Sequence, residues 1–194
     1  MAWTINVAVL CVVVSIIVAK KKYESPLQVF QEPKDIESLF EDGKTYYVEA
    51  GTIKRGPEQF PRYYLYCGEV LVKRNKSTTI IKRRYLYPTR GTWSWLEANY
   101  KVIIETDTTG IKPRKYADIR SMHGMHTRVA TLYLLWLVNN TCALFYNNHT
   151  DDCEAWVFEK PPLKLFEQSV CSTLTLVCKK RSYLHYVSEC YQSH

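Results

Sequence analysis

Residues 63–105 read YYLYCGEVLVKRNKSTTIIKRRYLYPTRGTWSWLEANYKVIIE, and this stretch decides the fold class. Three runs within it, Tyr63 to Val72, Ser77 to Tyr87 and Thr92 to Glu105, are rich in Tyr, Val, Ile, Thr and Trp, residues that suit a pleated, half-buried surface. Asn75-Lys76-Ser77 and Pro88-Thr89-Arg90-Gly91 break them with turn chemistry. The same texture continues on both sides, in Thr45 to Ala50 and in Thr127 to Val138, Thr141 to Tyr146 and Cys153 to Phe158. Gly56-Pro57, Thr109-Gly110 and the polar run Asn147 to Asp152 supply further turns. Many short strands with short polar connections and few helices indicate an antiparallel barrel or sandwich.

Two helices are expected around the strands. Pro33 to Phe40 places Ile36, Leu39 and Phe40 on one face before Asp42-Gly43, after a loose lead over 20–32. Near the end, Leu163, Phe166, Val170, Leu174 and Val177 form one apolar stripe at helical spacing behind Pro161-Pro162. Cys171 and Cys178 lie near that stripe, where they can staple the helix to the outside of a barrel.

The opening MAWTINVAVLCVVVSIIVA carries no charged side chain and is followed by Lys20, Lys21 and Lys22. It reads as a secretory signal peptide over 1–19, short for a membrane span, leaving a single domain over 20–194. Of seven cysteines, Cys11 falls in that leader; Cys67, Cys142, Cys153, Cys171, Cys178 and Cys190 remain, an even set that reads as three disulfides. Three sequons, at Asn75, Asn139 and Asn148, agree with a glycosylated, extracellular protein.

The formal charge of +7 includes a basic run of Lys73, Arg74, Lys76, Lys82, Arg83, Arg84 and Arg90. Such a run reads first as a solvated sheet face, and no nucleic-acid recognition motif accompanies it. Enzyme and metal signatures are missing as well. His123 and His126 stand three apart without a HExxH pattern or a third ligand, no GxSxG surrounds a serine, and no glycine loop cradles phosphate. No cofactor and no metal are expected.

Cys142-Ala-Leu, followed by Cys153-Glu-Ala-Trp and then Cys171, resembles the tick salivary lipocalins of the histamine-binding type. In that family a Cys-Asp-aliphatic triplet precedes a Glu-Leu-aromatic triplet and a further cysteine. Here nine residues separate Leu144 from Glu154 and fourteen separate Trp156 from Cys171, in keeping with the family. The resemblance implies an all-β, up-and-down antiparallel barrel with a short N-terminal helix and a C-terminal α-helix packed outside. Six cysteines admit fifteen pairings; the resemblance implies Cys67–Cys190 and Cys142–Cys171, which leaves Cys153–Cys178. The motif's Asp is Ala143 here and its Leu is Ala155. Because the family's Asp helps to hold an ammonium group, Ala143 weakens the case for an amine.

The resemblance carries Glu154 and Trp156 over as ligand-site residues. Independently, strand alternation places Glu154, Trp156 and Phe158 on one face, and Trp93, Trp95 and Glu97 on one face of another strand. Either set could offer an acid among aromatics to a buried cation, and Glu97 or Glu49 could replace the acid missing at Ala143. The expected function is therefore a secreted, monomeric, non-enzymatic protein that sequesters a small host mediator, a biogenic amine such as histamine or serotonin. The alternatives are a fatty-acid or eicosanoid scavenger, and a protein-binding inhibitor that acts through its loops and basic run. Neither nucleic acid nor, once the leader is removed, a membrane is an expected partner.

Overall fold

A computed structural model describes residues 24–54, 64, 66–110, 112–162 and 169–191. The expected signal peptide lies outside the described residues, as do Leu163 and Phe166 of the apolar stripe. Eight strands follow one another: β1 Thr45–Gly51, β2 Tyr66–Arg74, β3 Thr79–Pro88, β4 Trp93–Asp107, β5 Arg114–Ser121, β6 Arg128–Val138, β7 Cys142–Asn147 and β8 Asp152–Val157. Each pairs antiparallel with the next, and β1 pairs with both β2 and β8, so the sheet closes into an up-and-down barrel. Closure removes the unpaired edges that an open sheet would expose.

Alternation sorts the side chains. Val48, Val70, Ile81, Tyr100, Phe145 and Trp156 belong to the inner core, while Cys142, Leu144, Cys153 and Ala155 belong to an outer one. One end of the barrel is plugged. Ile36, Leu39 and Phe40 are buried in the inner core, and the Tyr46 hydroxyl donates to the Leu39 carbonyl at 2.8 Å. The plug is shorter than the helix expected over Pro33 to Phe40, since only Glu37–Phe40 is helical, as a 3-10 turn. Asp35 accepts from the Glu37 amide and its carbonyl takes the Ser38 hydroxyl, local bonds that favour a turn over a regular helix.

The expectation of a loose lead also needs correction. Pro26–Val29 forms a short helix, α1, with Ser25 and Gln28 as a capping box. Phe30 stacks edge-on against Trp136 at 6.0 Å, and its carbonyl accepts from Arg114.

β5 went unrecognised in the sequence because Arg114, Lys115, Asp118 and Arg120 mask its period. Its inner residues Ala117 and Ile119 do face the core. Asp118, on the outer side, is fully buried under Arg120 at 2.7 Å and Arg128 at 2.8 Å. Burial pushes its carboxyl up, but the hydrogen bonds and charges of Arg128 and Arg120 outweigh that and hold it below the usual value.

The C-terminal segment wraps the outside. It contains α2 (Val170–Leu174), a 3-10 turn at Thr175–Cys178, and a two-residue strand β9 (Tyr183–Leu184) paired with Ala50 and Gly51 of β1. Disulfides join Cys142 to Cys171, Cys153 to Cys178 and Cys67 to Cys190. The helix buries a face one residue away from its apolar stripe. Cys171, Thr175 and Cys178 are buried, whereas Val170 is half exposed and Leu176 more so. The bonds to β7 and β8, with Ser169 and Ser172 donating to Glu49, set this rotation.

Two stability predictions follow from these contacts. Replacing Cys142 and Cys171 together by Ser should cost about 3–4 kcal/mol by the loop-entropy argument, read as a lower urea midpoint; an unchanged midpoint would refute it. Because the Asp118 carboxyl is depressed in the fold, its contribution is complete above the ordinary carboxylate value of 3.8 and is lost as pH falls further. Asp118→Asn should therefore lower stability by about 1.5–3 kcal/mol at neutral pH and narrow its gap to the parent protein in acid, measured by urea unfolding across pH.

Candidate ligand site inside the barrel

β7 and β8 are paired so that Ala143 faces Trp156 and Phe145 faces Glu154, all four on the inner wall. Trp156 is completely buried, with Phe145 at 4.4 Å, Tyr46 at 5.6 Å and Phe40 at 6.4 Å between ring centroids. Its indole N–H donates to Glu154 Oε2 at 2.7 Å. Glu154 pairs across the sheet with Gly51, at the end of β1 remote from the plug.

The other Glu154 oxygen accepts from Arg83. β3 alternation explains how a member of the basic run enters the barrel. Ile81, Arg83 and Tyr85 face inward, opposite Tyr100, Ala98 and Leu96 of β4, while Lys82 and Arg84 face outward. Ala98 leaves room for the arginine. The guanidinium lies 5.4 Å from the Tyr85 ring centre and 5.7 Å from that of Trp156, a cation held by a carboxylate and two aromatic rings.

Gly68 helps to seat this group. A Cβ there would lie 2.8 Å from Val48 Cβ and 3.2 Å from the Tyr85 ring, so the missing side chain lets the phenol pack against β1 and β2. Burial opposes the Arg83 charge, and Glu154 with the neighbouring tyrosines more than offsets it, holding the guanidinium above its ordinary value. Burial also pushes the Tyr85 phenol well up and raises that of Tyr100, with Arg83 pulling partly the other way in both. Both phenols therefore remain protonated donors at neutral pH. Arg83 Nε and the Tyr85 and Tyr100 hydroxyls are buried without a hydrogen-bond partner among the described residues. Side-chain exposures of 12% for Arg83 and 9% for Glu154 show that the pair is not sealed off.

The remaining candidates lie elsewhere. Trp93 and Trp95 pack on the outside with Leu86, Tyr66 and Tyr186, and Arg84 stacks over Trp95 at 4.6 Å. Glu97 bonds Lys82 at 2.7 Å, also outside. Trp93, Trp95 and Glu97 do share a face of β4, but the face is the outer one. Glu49 is turned away from the core as well, accepting from Ser169 and Ser172 next to α2. No second acid from these candidates reaches the Trp156 region, and Arg83, which sequence reasoning counted among surface charges, does. Its signal was the alternation of Ile81, Arg83 and Tyr85 within an otherwise basic run. Asn75, Asn139 and Asn148 are exposed in turns between strands. His126 Nδ1 is 3.1 Å from the Ser121 carbonyl in the β5–β6 turn. Among the described residues no group of three His, Cys, Asp or Glu could hold a metal. Depressions of about 530 and 390 Å³ flank the plug, and neither is lined by Arg83 or Glu154.

No protein-family model matches the chain, and no characterised protein matches it by sequence. Among solved structures it is similar to AM182 in its serotonin complex, with a TM-score of 0.51 at 15% identity over 83% of this chain and 95% of that one. The fold is that of a lipocalin. Apocrustacyanin C1 is a more distant likeness, with a TM-score of 0.43 at 11% identity over 73% and 72% of the two chains. Within this fold the inner wall is apolar near the plug and polar around Arg83 and Glu154.

Gly68→Ala should drive a methyl group into Val48, crowd the Tyr85 ring and destabilise the barrel by about 1–3 kcal/mol. Thermal unfolding reads this directly, and a fully tolerated alanine would show that the close approach of Val48 and Tyr85 is not needed.

Proposed function

We propose that this lipocalin is a secreted carrier that sequesters a small host mediator in the half of its barrel remote from the plug. One observation carries the reading. Three buried donors without a partner among the described residues, Arg83 Nε and the Tyr85 and Tyr100 hydroxyls, cluster at a charged pair inside an otherwise apolar barrel. Buried donors are normally satisfied, and binding sites are a recurrent place for exceptions. Secretion is supported by the apolar leader, the three sequons and the three disulfides. Capture without turnover, and suppression of host defence, come from the resemblance to tick salivary lipocalins carried by Glu154 and Trp156.

The amine and lipid forms of this reading differ in what they require of Glu154. An amine needs its charge, as the resemblance and the likeness to a serotonin complex suggest. A lipid acid needs a cation instead. The protein-binding alternative loses ground because the basic run is divided: Lys82 and Arg84 are paired with Glu97 and Glu69, and Arg83 is inside.

Of the tryptophans in 20–194, Trp156 lies in the inner core, while Trp93 and Trp95 pack outside and Trp136 is partly exposed. A ligand in the barrel should therefore change tryptophan emission through Trp156, and Trp156→Phe should remove most of that change. Native mass spectrometry of the secreted protein should show a co-purified small molecule or a saturable adduct with an added one. A ligand response that survives Trp156→Phe intact would place binding outside the barrel.

A further inference from the structure

We infer that Arg83 is the resident cation of the barrel and sets its specificity, turning the site away from amines and toward a ligand that presents an anionic oxygen, such as a carboxylate, on an apolar body. The inference rests on the carrier reading and names its ligand class. The place a ligand ammonium would take, against Glu154 and between the Trp156 and Tyr85 rings, is filled by the Arg83 guanidinium. An incoming amine would have to displace a tethered cation and leave it buried and unpaired, which is strongly unfavourable. Each Glu154 oxygen already accepts one donor, from Arg83 and from the Trp156 indole N–H, so the charge of the carboxylate is matched before a ligand arrives.

What the cluster can still offer is donors. Arg83 Nε and the two phenolic hydroxyls have no partner among the described residues, and a carboxylate accepts hydrogen bonds and donates none. Arg83 would then bridge two carboxylates, its own and the ligand's, which suits the several donors of a planar guanidinium. The Tyr85 and Tyr100 hydroxyls would share the added charge. Ala143 agrees with this assignment, since an acid there, facing Trp156, would add negative charge beside the ligand.

The test is calorimetric titration of the secreted, full-length mature chain with dodecanoate, dodecanol and serotonin. The unaltered protein should bind dodecanoate about ten- to a hundredfold tighter than dodecanol, the value of one charge-assisted hydrogen bond. Arg83→Met should lose that preference and gain affinity for serotonin, because Glu154 is released. Should the lone carboxylate prevent folding, the double variant Arg83→Met, Glu154→Gln removes both charges and should bind dodecanoate no better than dodecanol. Serotonin bound more tightly than dodecanoate by the unaltered protein, or a carboxylate preference retained in the double variant, overturns the inference while leaving the carrier reading in place. Failure of all three compounds to bind overturns both.

Discussion

Closure at β1 is the constraint on which the other features depend. This strand is bonded to β2 along one edge and to β8 along the other, and beyond its register shift it also receives β9. Val48 is therefore opposite both Gly68 and Trp156, so one residue's position fixes how near the β2 and β8 walls can come. Gly68 is a consequence of that approach. Without β1 in place, Trp156 would lose Tyr46 and Val48, and the plug would lose the hydroxyl that holds Leu39.

The same strand ties the inside to the outside. Register shifts after Val48, so that Ala50 joins the outer core while Glu49 reaches Ser169 and Ser172 beside α2. β7 is buried at every position, and so are the last five residues of β8, which requires cover on both faces. The barrel core supplies one cover and the stapled C-terminal segment the other. Two of the three disulfides lie in that outer layer over β7 and β8, where a short helix with an exposed Val170 would otherwise contribute little apolar burial. Cross-links replace some of the hydrophobic holding force, in keeping with disulfides as constraints on the unfolded chain.

These features were unequally legible in the sequence. Strands with clean apolar texture, such as β2, β3 and β4, could be read because burial on one face imposes period two. β5 could not, because its outer face is charged and Asp118 is buried there only through arginines on its own strand and on β6. The resemblance singled out Glu154 and Trp156, and both face the barrel interior on β8. Trp93, Trp95 and Glu97 were grouped correctly on one face but given the wrong one, since parity alone does not say which side of a sheet is the interior. For Lys82, Arg83 and Arg84, composition suggested a single patch, whereas alternation sends the middle charge inward. Only partners distant in sequence, Glu154 foremost, reveal the direction.

An inward Arg83 changes the chemistry of the barrel more than a missing acid at Ala143 does. Removing one carboxylate would weaken a cation site by degrees. Adding an internal cation neutralises the carboxylate that remains and leaves a site of zero net charge edged with donors. Such a pair is rarely worth its desolvation as a device for stability, because a matched apolar pair often does as well. Here it is surrounded by polar atoms that no described residue satisfies, and solvent reaches both of its members. A pair retained for stability alone would gain from having those donors bonded within the protein. Leaving them open costs folding free energy and would be repaid in binding selectivity, because a ligand acceptor placed among them would restore hydrogen bonds that no described residue provides.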